Sequence, residues 1–396
     1  MVALAAKYKY LAFWLKSDCQ FGMIWFRFLS SNGDHDPSKA VQALLGETAV
    51  GNLRNFAKGP QPVAADTYSA AGLVDELCAQ FAAAHIHLDS ELLSQAADRY
   101  ANLVNGSRPG ILPLDTPYHD VQHSVEVTRC AAALLTAYAP NSTGHTDAFA
   151  QRALVTLICA LFHDTGYLRR ANESQVYCGA QLIKQHVSRS VGHTQELLRD
   201  LGLSRWCGSA EAMIHCTGYE RSFASLQFSC AEDQDMGRLI GTADLLAQMA
   251  DPVYPEKVRD RLYLEFEVAG LAGPGARAAG IGHGTATELL ASTPKFIQGA
   301  FQDRLDALFG GSYRLLGDTS GANKYLDQIQ RNMERIEQAT ATGPACMPLL
   351  APRQVAPPTL RIAALHADQQ STPRRQPLSA VITPRPDRAL APSHRH

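Results

Sequence analysis

Several classes of protein are excluded by what this sequence lacks. A strong excess of one charge is absent, because 36 Lys and Arg residues face 38 Asp and Glu residues and the formal net charge is −2. Nucleic acids and anionic membranes attract strongly basic proteins, so we expect neither as the main partner. Cys-x-x-Cys pairs are also absent, and the nine cysteines are odd in number and widely spread. A disulfide framework and a cysteine-ligated zinc module are therefore both disfavoured.

Long apolar runs are missing as well. The aromatic first thirty residues are interrupted by charges at Lys7, Lys9, Lys16, Asp18 and Arg27, so they contain no span of about 18 clean apolar residues. This stretch also lacks the apolar core and small-residue cleavage site of a secretory signal. We therefore expect no membrane span and a cytoplasmic location.

The composition divides the chain into three parts. Residues 341–396 contain ten of the 21 prolines, together with seven Arg and only two Asp, a composition that predicts a disordered Pro- and Arg-rich tail. Residues 1–65 mix aromatic clusters with Gly and Pro and show no sustained period, which predicts an irregular N-terminal extension. The pattern of a folded domain is confined to residues 66–340.

Helical periodicity dominates residues 66–340. Apolar residues recur three and four positions apart, and the segment shows no strand alternation, no βαβ pattern and no internal repeat. We therefore predict an all-α fold, a compact multi-helix domain. The predicted helical stretches are Ala70–Ala84, Leu92–Val104, Val121–Tyr138, Phe149–Phe162, Tyr177–His186, Ala210–Cys216, Met236–Met249, Pro255–Ala269, Thr285–Phe309 and Ala322–Ala339.

Ligand-type polar residues interrupt the apolar pattern at three places. His119 and His123 are four apart, a spacing that puts two imidazoles on one helix face, about 5–6 Å apart at Cβ. An apolar helix ends in the adjacent pair His163-Asp164, and Asp244 lies between apolar residues. Burying such groups costs several kcal/mol unless a partner or a metal compensates. Imidazoles and carboxylates are suitable ligands for divalent ions, so the three intrusions indicate one shared site.

These residues resemble a known family. His, then His-Asp, then a distant Asp on separate helices is the pattern of the HD-domain metal-dependent phosphohydrolases. The segment Tyr118–Val127 reads Tyr-His-Asp-Val-Gln-His-Ser-Val-Glu-Val and is similar to the Tyr-His-Asn-x-x-His-x-x-Asp-Val motif of the class I 3′,5′-cyclic nucleotide phosphodiesterases. Leu262–Phe266 is similar to their Glu-Phe motif. The resemblance covers about residues 70–315.

The resemblance implies a two-metal hydrolase that opens a 3′,5′-cyclic nucleotide to the 5′-monophosphate. It makes Asp164 the bridge between a tightly held Zn ion and a second ion, Mg or Mn. It makes His119 the general acid, with Glu265 favouring its charged form. The implied ligands of the tight ion are His123, His163, Asp164 and Asp244.

Two departures from the family motif concern the second metal and the substrate. The family motif reads His-Asp-x-x-His, whereas Tyr167 holds the last position here, so the second ion is expected to bind weakly or differently. Histidines at 186, 193 and 215 are candidate substitutes, and His215 is preferred for its place on a helix, although a hydrogen-bonded core histidine is the alternative. Thr293 stands where the family has the base-binding Gln. The remaining substrate-binding candidates are Tyr118, Phe296 and Gln298.

Two other functions stay open at this point. The same ligands in other HD proteins act on other nucleotides or phosphoesters, a reaction that needs no equivalent of His119. A non-catalytic signalling module that keeps the fold and one metal is the second alternative, and Tyr167 favours it. If the protein is a cyclic nucleotide phosphodiesterase or another HD phosphohydrolase, its partner is a small-molecule nucleotide or phosphoester. The sequence does not specify the base or the oligomeric state.

Overall fold

The computed structural model describes residues 69–139, 147–280 and 282–341. Helices make up most of these residues. Across these residues the only β-type pairings are two isolated bridges, Ile111 with Arg170 and Ala272 with His283. The all-α prediction is therefore confirmed for the described ranges. The predictions for residues 1–65 and for the tail lie outside them, apart from Ala341, which ends the last helix.

Twelve α-helices follow one another along the described ranges. Two of them continue into π-helical segments, which span Val258–Leu262 and Ala300–Asp306. The helices are α1 (Ala70–Ala83), α2 (Ser90–Val104), α3 (Val121–Tyr138), α4 (Asp147–Phe162), α5 (His186–Asp200), α6 (Cys207–His215), α7 (Ala231–Met249), α8 (Tyr254–Lys257), α9 (Tyr263–Val268), α10 (Pro274–Ala278), α11 (Ala286–Gly299) and α12 (Lys324–Ala341).

Side-chain caps explain where several helices begin. Asp89 accepts a hydrogen bond from the Leu92 backbone N–H at 3.0 Å at the start of α2. Asp120 accepts one from the His123 N–H at 2.9 Å at the start of α3. Such caps satisfy backbone donors that have no partner within the helix. The cap of Asp120 therefore also fixes the first turn of α3, where His123 lies.

The core is built around three helices. Helix α3 packs against both α4 and α7, and α7 also packs against α6. The last ten residues of α4, from Ala153 to Phe162, are all buried, so this part of the helix is enclosed on every side. Because these three helices pack together, the polar intrusions of α3, α7 and the end of α4 are directed to the same region of the core.

One predicted helix is wrong, and two helices, α5 and α10, were not predicted. Residues 177–186 form no continuous helix, because only a 3-10 turn spans Gly179–Leu182. This turn packs closely against the preceding chain, and a Cβ on Gly179 would lie only 2.4 Å from the Tyr167 carbonyl oxygen. Helix α5 begins at His186 instead. Its apolar period is hard to recognise because the buried face includes the polar side chains of Ser190 and Thr194.

Candidate metal centre

Four buried side chains from α3, α7 and the end of α4 form a compact cluster. His123 Nε2 lies 3.5 Å from Asp164 Oδ2 and 3.3 Å from Asp244 Oδ1. His163 Nε2 lies 3.2 Å from Asp164 Oδ2 and 3.7 Å from Asp244 Oδ1. Donor atoms of His123, His163 and Asp164 all lie within 4.8 Å of one another. The structure thus brings together the four residues predicted as ligands of the tight ion.

The hydrogen bonds of this cluster fit a bound cation. His163 Nδ1 lies 2.8 Å from the Ala160 carbonyl oxygen, which can only accept, so in the neutral ring Nε2 carries the lone pair. That atom faces Asp164 Oδ2, and within the described residues neither buried atom has a hydrogen-bond partner. Two buried acceptors facing each other are unfavourable unless a cation lies between them. Two imidazoles and two carboxylates are a suitable donor set for Zn or another divalent ion.

In the absence of a metal ion, a proton on His163 Nε2 lies between this ring and Asp164 Oδ2. Burial lowers the pKa of His163, but the surrounding acceptors, Asp164 first and then Asp244, together raise that pKa to about 9. Burial opposes ionisation of Asp164, yet the neighbouring imidazoles, His163 first, keep its pKa well below the usual range. A divalent ion bound at this cluster would therefore compete with the His163 proton.

His119 and Glu265 form a second contact beside the cluster. Glu265 is fully buried, and its Oε2 lies 2.6 Å from His119 Nδ1. Its Oε1 accepts the backbone N–H of Tyr118 at 2.6 Å and that of His119 at 3.0 Å. Burial lowers the pKa of His119, but the nearby carboxylates, Glu265 first and then Asp164 and Asp244, together raise that pKa to about 9. His119 is therefore an imidazolium near neutral pH.

His119 and His123 do not lie on one helix face, so that prediction is wrong. Helix α3 begins at Val121, so His119 lies in the bend before the helix and shares no helix face with His123. The two rings are nevertheless neighbours, with centroids 5.9 Å apart and planes at 80°. The charged imidazole of His119 thus lies beside the His/Asp cluster for a different reason, namely the three contacts with Glu265.

Tyr167 and His186 complete the surroundings of Asp164. The Tyr167 ring stacks on His119 at 4.7 Å and on His186 at 4.3 Å. Burial holds the pKa of Tyr167 well above its usual value, so the phenol is neutral. His186 Nε2 lies 3.6 Å from Asp164 Oδ1, and burial, the largest influence, lowers the pKa of its ring. The structure therefore brings His186 to Asp164.

The other sequence candidates lie in different surroundings. His215 ends α6, and the charges that act on its imidazole are those of nearby Arg and Glu side chains, not the cluster carboxylates. Phe296 and Gln298 lie on α11, where both are exposed. Gln298 lines an open groove of about 500 Å³ between α11 and α12, which includes no residue of the cluster. Tyr118 is near the cluster, with its ring 6.4 Å from that of His123.

The sequence did not single out two residues near the cluster, Gln248 and His186. Gln248 lies one turn after Asp244 and accepts a hydrogen bond from the Tyr118 hydroxyl at 3.3 Å; its i+4 spacing from Asp244 was the available signal. His186 was one of three candidates but not the preferred one, and no local pattern separates it from the other two. Its position depends on the irregular chain between Tyr167 and α5.

Over residues 69–139, 147–280 and 282–341, the fold is all-α and contains a buried His/Asp group that could hold a divalent metal ion. No protein-family model, no curated protein and no solved structure matches the chain. Among the described residues, no helix combines the length and the apolar character that crossing a bilayer requires.

Proposed function

We propose that this protein is a metal-dependent phosphohydrolase of the HD type that hydrolyses a 3′,5′-cyclic nucleotide to its 5′-monophosphate. One observation carries the proposal beyond metal binding: the charged pair of His119 and Glu265 lies beside the buried His/Asp cluster. A metal site alone fits many functions. A metal site with a proton donor next to it fits a reaction in which a poor leaving group must be protonated.

The cluster supplies the metal-dependent part of the chemistry. A divalent ion held by His123, His163, Asp164 and Asp244 would activate water and neutralise charge on the phosphate oxygens. The chain itself keeps the ligands in position. His163 is oriented by its bond to Ala160, and His123 is fixed by the helix start that Asp120 caps. Such supporting bonds hold a ligand ring in one tautomer and orientation.

His119 supplies the proton that the leaving group needs. Hydrolysis adds the oxygen of water to phosphorus and breaks the bond from phosphorus to the 3′ oxygen. The departing alkoxide must gain a proton, and the His119 Nε2–H is the group available because Nδ1 is held by Glu265. Glu265 keeps that imidazole charged and its ring fixed, so the proton is presented in one direction.

A substrate panel tests this proposal. Metal-reconstituted protein is incubated with cyclic AMP, cyclic GMP, nucleoside monophosphates and an aryl phosphodiester, and products are identified by ³¹P NMR. We expect turnover of at least one cyclic nucleotide, with the 5′-monophosphate as the product. Turnover of monophosphates or aryl esters alone would identify a different HD-type phosphoester hydrolase. Bound metal with no turnover of any substrate would identify a non-catalytic metal-binding module.

A further inference from the structure

Resting on the metal cluster of the proposed function, we propose that His186 is a ligand of a second metal ion, which Asp164 bridges to the first. The two oxygens of Asp164 face different imidazoles. Oδ2 faces His163 at 3.2 Å and His123 at 3.5 Å, while Oδ1 faces His186 Nε2 at 3.6 Å. A carboxylate that bridges two metal ions has this arrangement, with one oxygen directed to the ligands of each ion.

The tautomer of His186 suits a ligand. Its Nδ1 lies 2.7 Å from the Ile183 carbonyl oxygen, and because a carbonyl only accepts, Nδ1 carries the hydrogen. The Nε2 lone pair then faces Asp164 Oδ1, at a distance longer than a hydrogen bond. This repeats, on the other side of Asp164, the arrangement of His163 with the Ala160 carbonyl. Metal-ligating imidazoles are commonly oriented by such a bond from the second nitrogen.

The start of α5 is fixed against the turn that follows Asp164. Gly166 packs so closely on this helix that a Cβ there would lie 1.7 Å from the His186 carbonyl oxygen. Gly166 also donates its N–H to Ser190 Oγ at 2.8 Å. On the other side, Glu220 accepts the backbone N–H of Val187 at 2.9 Å. These contacts hold His186 at Asp164 from a separate helix.

This placement explains the departure from the family motif. Tyr167 stands where the motif has a histidine, and it lies against His186 with the two rings 4.3 Å apart. The imidazole beside Asp164 therefore comes from α5 and not from the turn after the His-Asp pair. An imidazole ligand also changes the preferred ion, because Mg²⁺ takes oxygen ligands whereas Mn²⁺, Co²⁺ and Zn²⁺ accept nitrogen. The second site should select Mn²⁺ or a later ion over Mg²⁺.

Metal stoichiometry tests the assignment without reference to activity. Metal-free protein is titrated with Mn²⁺, and bound ions are counted by elemental analysis and by electron paramagnetic resonance. We expect two ions with a spin-coupled signal in the native protein. His186→Ala should bind one ion, or bind the second at least about tenfold more weakly. His193→Ala is the matched control, because His193 is a buried histidine on the same helix, and it should bind two.

A second measurement covers the case in which His186→Ala does not fold. In the native protein, ¹⁵N labelling of histidine should change the nitrogen hyperfine coupling of both Mn²⁺ ions, and Mg²⁺ should displace neither at equal concentration. Two ions retained with unchanged affinity in His186→Ala, or a single ion in the native protein, would overturn the assignment. Two ions bound through His186 with no phosphoester turnover would leave it standing and overturn only the proposed function.

Discussion

Glu265 holds His119 by three contacts, one from a carboxylate oxygen to the ring and two from the backbone of the bend. Its Oε2 lies 2.6 Å from His119 Nδ1, and its Oε1 accepts the His119 N–H at 3.0 Å. The same residue thus sets the charge, the ring orientation and the backbone position of the imidazole. Because Glu265 is buried on α9, the position of the His119 imidazole depends on contacts between segments far apart in sequence.

Loss of His119 should slow only reactions with poor leaving groups. In His119→Ala, kcat for a cyclic nucleotide should fall by about 10²–10⁴-fold, the usual contribution of a general acid, with metal content unchanged. Hydrolysis of bis(4-nitrophenyl) phosphate should fall much less, because its phenolate leaves without a proton. Parallel kinetics on both substrates check this. Equal losses on the two would show that His119 is not the acid.

The pH dependence of kcat should report the charge of His119. The pKa of His119 is raised to about 9, so the acid holds its proton below that value and kcat should fall as the pH rises through it. Glu265→Gln removes the strongest of the charges that raise this pKa, so the falling limb of the profile should move to lower pH. Profiles of kcat against pH for both proteins provide the measurement. A limb at the same pH in Glu265→Gln would refute this assignment.

Gly166→Ala should disturb the start of α5. The added Cβ would lie 1.7 Å from the His186 carbonyl oxygen, so the helix must shift away from Asp164, and both thermal stability and affinity for the second ion should decrease. Gly192→Ala on the same helix is the control, because nothing lies within 4 Å of its Cβ. That change should be neutral or stabilise the protein by up to about 1 kcal/mol. Similar melting temperatures for the two variants would contradict this packing.

Asp120→Ala should destabilise the fold more than loss of an ordinary helix cap. Asp120 is buried, caps α3 and lies 2.9 Å from Arg261 Nη1, whose side chain is also buried. Breaking a buried ion pair costs about 3–5 kcal/mol. Asp89→Ala is the control, since Asp89 caps α2 at the surface, and should cost about 1 kcal/mol. Urea unfolding at neutral pH measures both, and equal losses would rule out a structural role for the pair.

Residue patterns predicted the parts of this protein that depend on local structure. Helix α3 has the predicted ends, Val121 and Tyr138, because a capping Asp precedes a clear apolar period. The family resemblance predicted the set of four cluster residues, and the local sequence supported it at His163-Asp164 and Asp244, since a buried helix tolerates such groups only where partners compensate.

The positions of residues that follow irregular segments of the chain were harder to predict. His186 reaches Asp164 because the chain turns back after Tyr167 through a 3-10 turn and because Gly166 allows close packing. Neither effect leaves a periodic pattern. Helix α11 likewise continues into a π-helical segment, and Gln298 lines a groove beside α12. The spacing of apolar residues in the sequence does not predict the surroundings of Gln298.

The most direct test of the central claim is the metal dependence of cyclic-nucleotide hydrolysis in the native protein and in Asp164→Asn. Asp233→Asn is the control, because Asp233 is an equally buried carboxylate that pairs with Arg152 away from the cluster. We predict that chelation abolishes turnover, that Mn²⁺ restores it in the native protein and in Asp233→Asn, and that Asp164→Asn loses both metal and activity. Native-like turnover in Asp164→Asn, or in chelated protein, would contradict the account.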